Sequence, residues 1–303
     1  MSNFFDNQRI LGLIWERKIH FIVIGVIAII LAAIFSGPSF ITPKFKSTAR
    51  VYPTNNVAVF SEESRTEQML EIMSSNDIKL KMFDAFRLDT VYNVPKDNPL
   101  YLSLMFDIYN NNVNVSKTQF ETVQIEIMDR DPLRAARMCD SLIHFFNMKT
   151  RSMHSIKFRE IFKLTDDRLN QKYAELDSLK PKYDRYKEEY DLFDYDAQAE
   201  EVTKGLMKSV AREDVNGDGI KYLKDQYENL KDHGKEALII ERRYMNTRTK
   251  IDSMIESKVI ALAEANKRIT YAHVVESPLP ADKKSYPVRW LIVAFSAVSA
   301  IFL

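Results

Sequence analysis

From Leu176 to Ala197 the chain reads LDSLKPKYDRYKEEYDLFDYDA, and in it Leu176, Leu179, Tyr183, Tyr186, Tyr190, Phe193 and Ala197 recur at alternating steps of three and four residues. That spacing is the seam of a coiled coil. The charged, glycine-poor run around it extends from about Ile156 to Arg212, and a second run from Ile220 to Ala272 answers with Ile220, Leu223, Tyr227, Leu230, Ala237, Tyr244, Ile251, Ile255, Leu262 and Ile269. Its seam is weaker, because Gly234, Glu241, Arg248 and Lys258 occupy core-like positions. At a rise of ~1.5 Å per residue the two runs would reach roughly 85 Å and 80 Å. Arms of matched length around the single loop 214–219 predict a helical hairpin that leaves a base and returns to it. Pro181 lies inside the regular part of the seam, where it removes a backbone donor and crowds the carbonyl four residues back, so a kink or short break is expected there. The acidic cluster Glu188, Glu189, Asp191, Asp194, Asp196, Glu200 and Glu201, followed by Lys204, Lys208 and Arg212, reads as a solvated helix face; a basic partner is the alternative.

The 303 residues suffice for about two domains. Charge is balanced, 43 basic against 42 acidic residues, so nothing points to nucleic acid. The single cysteine, Cys139, cannot form an intrachain disulfide and reads as a small buried hydrophobe on a helix. His20, His144, His154, His233 and His273 show no metal-ligand spacing.

Ile19 to Gly37 is apolar apart from His20 and Ser36 and is long enough to cross a bilayer core of ~30 Å. Arg9, Arg17 and Lys18 precede it, which places the amino terminus in the cytoplasm. A cleaved signal peptide is the alternative, but the run exceeds an h-region of ~7 to 15 residues and no small-x-small site follows it cleanly. A second apolar run starts at Trp290 and stops with the sequence at Leu303; it reads as a span cut short, so the chain is expected to continue, with a membrane-dipping tail as the alternative. Trp15 and Trp290 flank the two runs, where amphipathic rings favour the interface. Two spans would put the residues from about Ser39 to Pro287 on the non-cytoplasmic side.

Between the spans, Pro43 to Pro53 is expected as a strand ended by proline. Helices follow over 62–73 and 76–87, the second capped by Ser75 or Asn76 and burying Ile78, Met82, Ala85 and Phe86. Asp97 to Pro99 and Asn110 to Asn112 read as loop. Val113 to Ser116 is a candidate strand, and Thr122 to Met128 alternates with Val123, Ile125 and Ile127 on one face. Asp131-Pro132 starts a helix that buries Leu133, Ala136, Leu142, Ile143 and Phe146. Residues 269–276 return as a strand. The expected architecture is therefore an α+β membrane-proximal base with a long inserted helical, coiled-coil hairpin, flanked by N- and C-terminal transmembrane helices. The boundaries are 1–18 for the cytoplasmic terminus, 19–37 for the first span, 38–155 with 269–287 for the base, 156–268 for the hairpin and 288–303 for the start of the second span.

No nucleophile, cofactor or phosphate-loop motif is present, and no catalytic residue is assigned. Asp214-x-Asn216-x-Asp218-Gly219 copies the first half of a calcium loop, but Asp225 stands at the twelfth position and Lys221 at the eighth; a polar hairpin tip is the preferred reading over a calcium site. From Glu276 to Arg289 the prolines Pro278, Pro280 and Pro287 favour a stiff extended strap between base and membrane.

With these residues laid out, the chain resembles the Wzz-type chain-length determinants, the polysaccharide co-polymerases. The resemblance is carried by Pro43-x-Phe45-x-Ser47-x-Ala49 and Tyr52-Pro53, by Asp131-Pro132-x-x-Ala135-Ala136, by Ser74-Ser75-Asn76 leading to Phe86-Arg87-Leu88, and by Pro278, Pro280 and Pro287 ahead of Arg289. It departs from the family in lacking the glycine-containing repeats near the second span and in the asparagine-rich segment around Asn110. The resemblance implies a non-enzymatic, two-pass protein of the bacterial inner membrane, with its bulk in the periplasm, that forms a homo-oligomer. It also implies regulation of the length of a surface glycan, lipopolysaccharide O-antigen or capsule, made on a lipid-linked carrier by a membrane-embedded polymerase. The strap role would fall on Pro278, Pro280 and Pro287. Two other classes stay open: the membrane half of a tyrosine-kinase-coupled exporter, and a periplasmic adaptor of an efflux or secretion pump, although no glycine-rich lipoyl-like domain is evident.

Overall fold

In the computed structural model, residues 15–54, 63–212 and 217–302 are described. The chain divides into two compact units, residues 1–152 with 269–303, and residues 153–268.

The first unit begins with helix α1, Lys18–Phe35, the one described helix long and apolar enough to cross a membrane. Strand β1, Phe45–Pro53, follows, then helices α2, Arg65–Ser74, α3, Asn76–Phe86, α4, Leu88–Tyr92, and α5, Tyr101–Asn112. Strands β2, Val113–Lys117, and β3, Val123–Asp129, precede the long helix α6, Pro132–Glu188, whose residues to Ser152 belong here. Strand β4, Ala272–Glu276, and helix α9, Arg289–Phe302, complete the unit. The four strands form an antiparallel sheet in the order β2-β3-β1-β4. Its register places Ala49 opposite Ile125 and Val51 opposite Val123, so the alternation read from the sequence lands on one buried face. On that face Met69, Ile78, Met82, Leu88, Met105, Leu142 and Phe146 close the core. Side chains of this kind each contribute roughly 1.5–3 kcal/mol when fully buried.

Local chemistry explains the boundaries and several departures from expectation. Ser64 and Glu67 form a reciprocal capping box at the start of α2: the Ser64 hydroxyl accepts from the Glu67 amide at 3.2 Å, and the Glu67 carboxylate accepts from the Ser64 amide at 2.9 Å. Ser75 is extended and parts α2 from α3, but its side chain makes no cap hydrogen bond. The stripe of α3 is Ile78, Met82 and Phe83; Ala85 is exposed and Phe86 half-buried, because Arg87 turns left-handed at φ 47° and ends the helix. Asn110 to Asn112 is helical, not loop. Met105, Tyr109 and Asn112 face the core, and the Asn112 amide is occupied at both ends, donating to the Ile108 carbonyl at 2.8 Å and accepting from Lys44 Nζ at 2.5 Å. Asp131 caps α6 by accepting from the Leu133 amide at 2.9 Å. Leu133 itself is 57% exposed, and Ala135, Met138 and Cys139 take the inner face.

The second unit contains α6 from Met153, helix α7, Tyr195–Ala211, and helix α8, Asp218–Ala265. Contacts of α6 with α8 run in opposite order, His154 with Glu264 at 3.8 Å, Asp166 with Lys258 at 2.5 Å and Tyr183 stacked on Tyr244 at 4.5 Å, and Tyr190, just past the end of α6, continues the series against His233 at 4.0 Å. The pair is an antiparallel helical hairpin. Pro181 does not interrupt α6. The break falls at residues 189–194, where Asp191 adopts φ 59° and Gln198 accepts from the amides of Phe193 and Asp194 at 2.7 and 2.9 Å. Asp194 then caps α7. This interruption swaps the expected seam residue: Leu192 is buried, whereas Phe193 is 54% exposed and Ala197 is exposed. Leu179 is buried, and Leu176, Tyr183, Tyr186 and Tyr190 are half-buried as a seam requires. On α8 the inner positions are Leu230, Gly234, Ala237, Ile240, Thr247, Ile251, Ala261 and Ala265. Ile220, Leu230, Gly234, Ala237 and Ile251 hold the expected seam, whereas Tyr227, Arg248 and Leu262 are exposed and the residues one earlier, Gln226, Thr247 and Ala261, are buried in their place; Ile255 is exposed as well.

Candidate functional site

The sequence singles out the strap and the first strand, and the structure brings them together in one unit. Ser47 and Ala49 lie on the buried face of β1, with Pro43 and Pro53 half-buried at its ends. The Ser47 hydroxyl, almost fully buried, donates to the Leu279 carbonyl at 2.9 Å, which fixes the strap between the two buried prolines Pro278 and Pro287; Pro280 and Arg289 are exposed. Nearer the apolar helices, Lys44 and Tyr286 form an isolated antiparallel bridge: the Lys44 amide donates to the Tyr286 carbonyl at 3.0 Å, and the Ser285 and Tyr286 amides donate to the Lys44 carbonyl at 2.9 and 3.2 Å. A proline-rich segment has few donors, so each of these bonds constrains it strongly.

Two side chains that hold neighbours of the strap have no sequence signal. Asn112, from the segment expected as loop, holds the Lys44 side chain, and burial together with the neighbouring Arg130 lowers the basicity of that lysine. Asn147 on α6 accepts from the amides of Tyr271 and Ala272 at 2.7 and 3.1 Å, locking the entry of β4. Burial pushes the Cys139 thiol up to about 12, and its Sγ lies 3.7 Å from the Ser47 carbonyl, the geometry of a packing residue.

Beyond the strap, α9 packs along the apolar helix α1. It is an apolar helix of 14 residues, shorter than a complete span. The seam residues Leu176, Leu179, Tyr183, Tyr186, Tyr190 and Phe193 belong to the other unit. Of the calcium-loop candidates, Asp214 and Asn216 lie outside the described residues, and Asp218 opens α8. Among the described residues no three His, Cys, Asp or Glu side chains gather as a metal site. Backbone pairing and a buried hydroxyl tie the sheet to the segment that leads into α9.

Residues 3–86, which include α1, β1, α2 and α3, match the family described as Wzz, chain length determinant protein. No match was found among curated proteins. Among solved structures, a full-length bacterial polysaccharide co-polymerase is 13% identical with a TM-score of 0.45, covering 96% of this chain and 92% of its own. A fragment of WzzB, a polysaccharide co-polymerase from Salmonella Typhimurium, is 13% identical with a TM-score of 0.35, over 80% of this chain and 100% of its own. The wild-type Shigella flexneri lipopolysaccharide O-antigen chain-length regulator is 11% identical, with a TM-score of 0.35 and the same two coverages, 80% and 100%. Those likenesses are too distant to carry weight alone, and the strap motif lies outside the matched residues. Over residues 3–86, then, the chain is similar to the Wzz chain length determinant proteins, the family its sequence motifs resemble.

Proposed function

We propose that this protein regulates the chain length of a surface polysaccharide as a non-enzymatic co-polymerase of the bacterial inner membrane. The observation that carries this reading is the chain-length-determinant match over residues 3–86, which takes in the apolar helix and the strand to which the strap is tied. In this reading α1 spans the bilayer, α9 begins a second span, and the units between them are periplasmic. The protein acts as a homo-oligomer beside a membrane-embedded polymerase that extends a lipid-linked glycan. The half-exposed apolar positions of the hairpin, such as Ile239, Ile255 and Val259, supply surface for neighbouring copies.

The test is deletion of the gene followed by electrophoresis of the surface glycans. The expected result is a changed distribution of lengths with synthesis retained, and the polymer that changes, O-antigen or capsule, identifies the substrate. An unaltered ladder for every surface polymer overturns the reading.

A further inference from the structure

Between α1 and α9 runs a groove of about 410 Å³, lined by Ile29 and Ala33 on one side and by Val293 and Ala297 on the other, with Arg289 and Trp290 at its mouth. The wall is almost wholly apolar, and small side chains on both helices leave the space open. The mouth differs in charge. Lys283, Lys284 and Arg289 stand within seven residues with Asp282 as the only acidic neighbour in the strap beyond Glu276, and among the described residues none of the three cations forms an ion pair. Of these cations Arg289 is the one that lines the groove. The first turn of α9 carries no acidic residue, so its amide dipoles add to the same field.

We infer that this groove holds one chain of an anionic glycerophospholipid, with the lipid phosphate on Arg289. The inference rests on the reading of α1 and α9 as membrane-embedded. A hydrocarbon groove alone accepts any lipid, and a basic surface alone accepts any anion. Their continuity over a single turn of α9 selects a ligand with both parts. Arginine binds phosphate in a bidentate fork, and the exposed Trp290 ring sits beside it as an interfacial anchor. Basic residues on the non-cytoplasmic flank run against the positive-inside bias, and an anionic lipid offsets them.

The experiment places the full chain in nanodiscs containing equal phosphatidylglycerol and phosphatidylcholine, extracts it in mild detergent and weighs the retained lipid by native mass spectrometry. Phosphatidylglycerol is expected to exceed phosphatidylcholine by about fivefold, the factor that corresponds to roughly 1 kcal/mol for one cation at a membrane surface. Arg289→Gln should bring the ratio close to equality, and Arg289→Lys should keep most of it. Ala297→Leu, which fills the groove and leaves the charges in place, should lower retention of both lipids, and it decides the matter if Arg289→Gln fails to fold. Equal retention by the unsubstituted chain, or unchanged enrichment in Arg289→Gln, overturns the inference. Displacement of phosphatidylglycerol by an equimolar polyprenyl diphosphate also overturns it, by assigning the groove to a glycan carrier. Carbonate extraction reports separately whether the chain is held in membranes, and glycan length is no part of the readout, so failure here is distinguishable from failure of the proposed function.

Discussion

Lys46 on β1 pairs with Met128 and Glu126 on β3 with Thr48, so the two are diagonal neighbours, and their side chains meet at 2.9 Å on the solvated side of the sheet. The hydrogen bond from Lys46 holds the Glu126 carboxyl below its ordinary value of 4.5. A carboxylate with a depressed folded-state pKa contributes stability that is complete above the unfolded value and is lost as pH falls through the folded one. Lys46→Met should therefore lower stability at neutral pH by less than about 1 kcal/mol, because the pair is partly exposed, and should flatten the loss of stability below about pH 4.5. Urea titrations of both proteins between pH 3 and 7 measure this; parallel pH profiles would contradict it. Cross-strand partners such as these follow from register, and register is visible in a sequence only where one face is plainly apolar. Val123, Ile125 and Ile127 show that, whereas Asn112 gives no sign that it is buried against Lys44.

At the scale of elements, α7 and α8 approach so closely that a β-carbon on Gly234 would stand 2.3 Å from the Tyr195 ring. Glycine elsewhere in a helix is a cost of about 1 kcal/mol relative to alanine, yet here the missing side chain makes room for the aromatic ring. Gly234→Ala should destabilise the protein by about 1–3 kcal/mol in denaturant unfolding, because overpacking exceeds the gain in helix propensity. In a Tyr195→Ala background the same substitution should become neutral or stabilising; an equal loss in both backgrounds would show that the ring is not the cause. Helix breaks follow the same logic of local satisfaction. Proline inside a helix costs ~3 kcal/mol, but at Pro181 the buried Leu179 and the Tyr183–Tyr244 stack hold the chain on either side. Ten residues later Asp191 accepts a left-handed turn and Gln198 satisfies two amides, so α6 ends without any proline. An aspartate cap at Asp194 is the signal that marks the restart, and it is masked by the continuous heptad pattern around it.

At the scale of the whole molecule, the strap ties the sheet of the first unit to its helix pair through few bonds, and Ser47 supplies the only buried side-chain hydroxyl among them in the described residues. Ser47→Ala removes the hydroxyl with little change in volume, and it leaves the Leu279 carbonyl without its donor, at a cost of about 1–3 kcal/mol. Hydrogen exchange should then accelerate at the Ser285 and Tyr286 amides, which bond to Lys44 farther along the same strap. Unchanged protection at those two amides would mean that the backbone bridge alone holds the segment.

Period and run length in the sequence by themselves determined the apolar helix α1, the strands β1 and β3, the start of α6 at Asp131-Pro132 and the pairing of two long helical runs. Each of these is a one-dimensional pattern enforced by burying one side of a regular element. Only the tertiary structure decided which residues those patterns enclose. The α8 seam passes through Ile240, Thr247 and Ala261 because close helix approach favours small or well-fitted side chains over the largest apolar ones. The segment at Asn110 is helical because the core receives Met105 and Tyr109 and the Asn112 amide is satisfied at both ends. Packing and hydrogen-bond satisfaction are properties of pairs far apart in the chain, and a local pattern does not contain them.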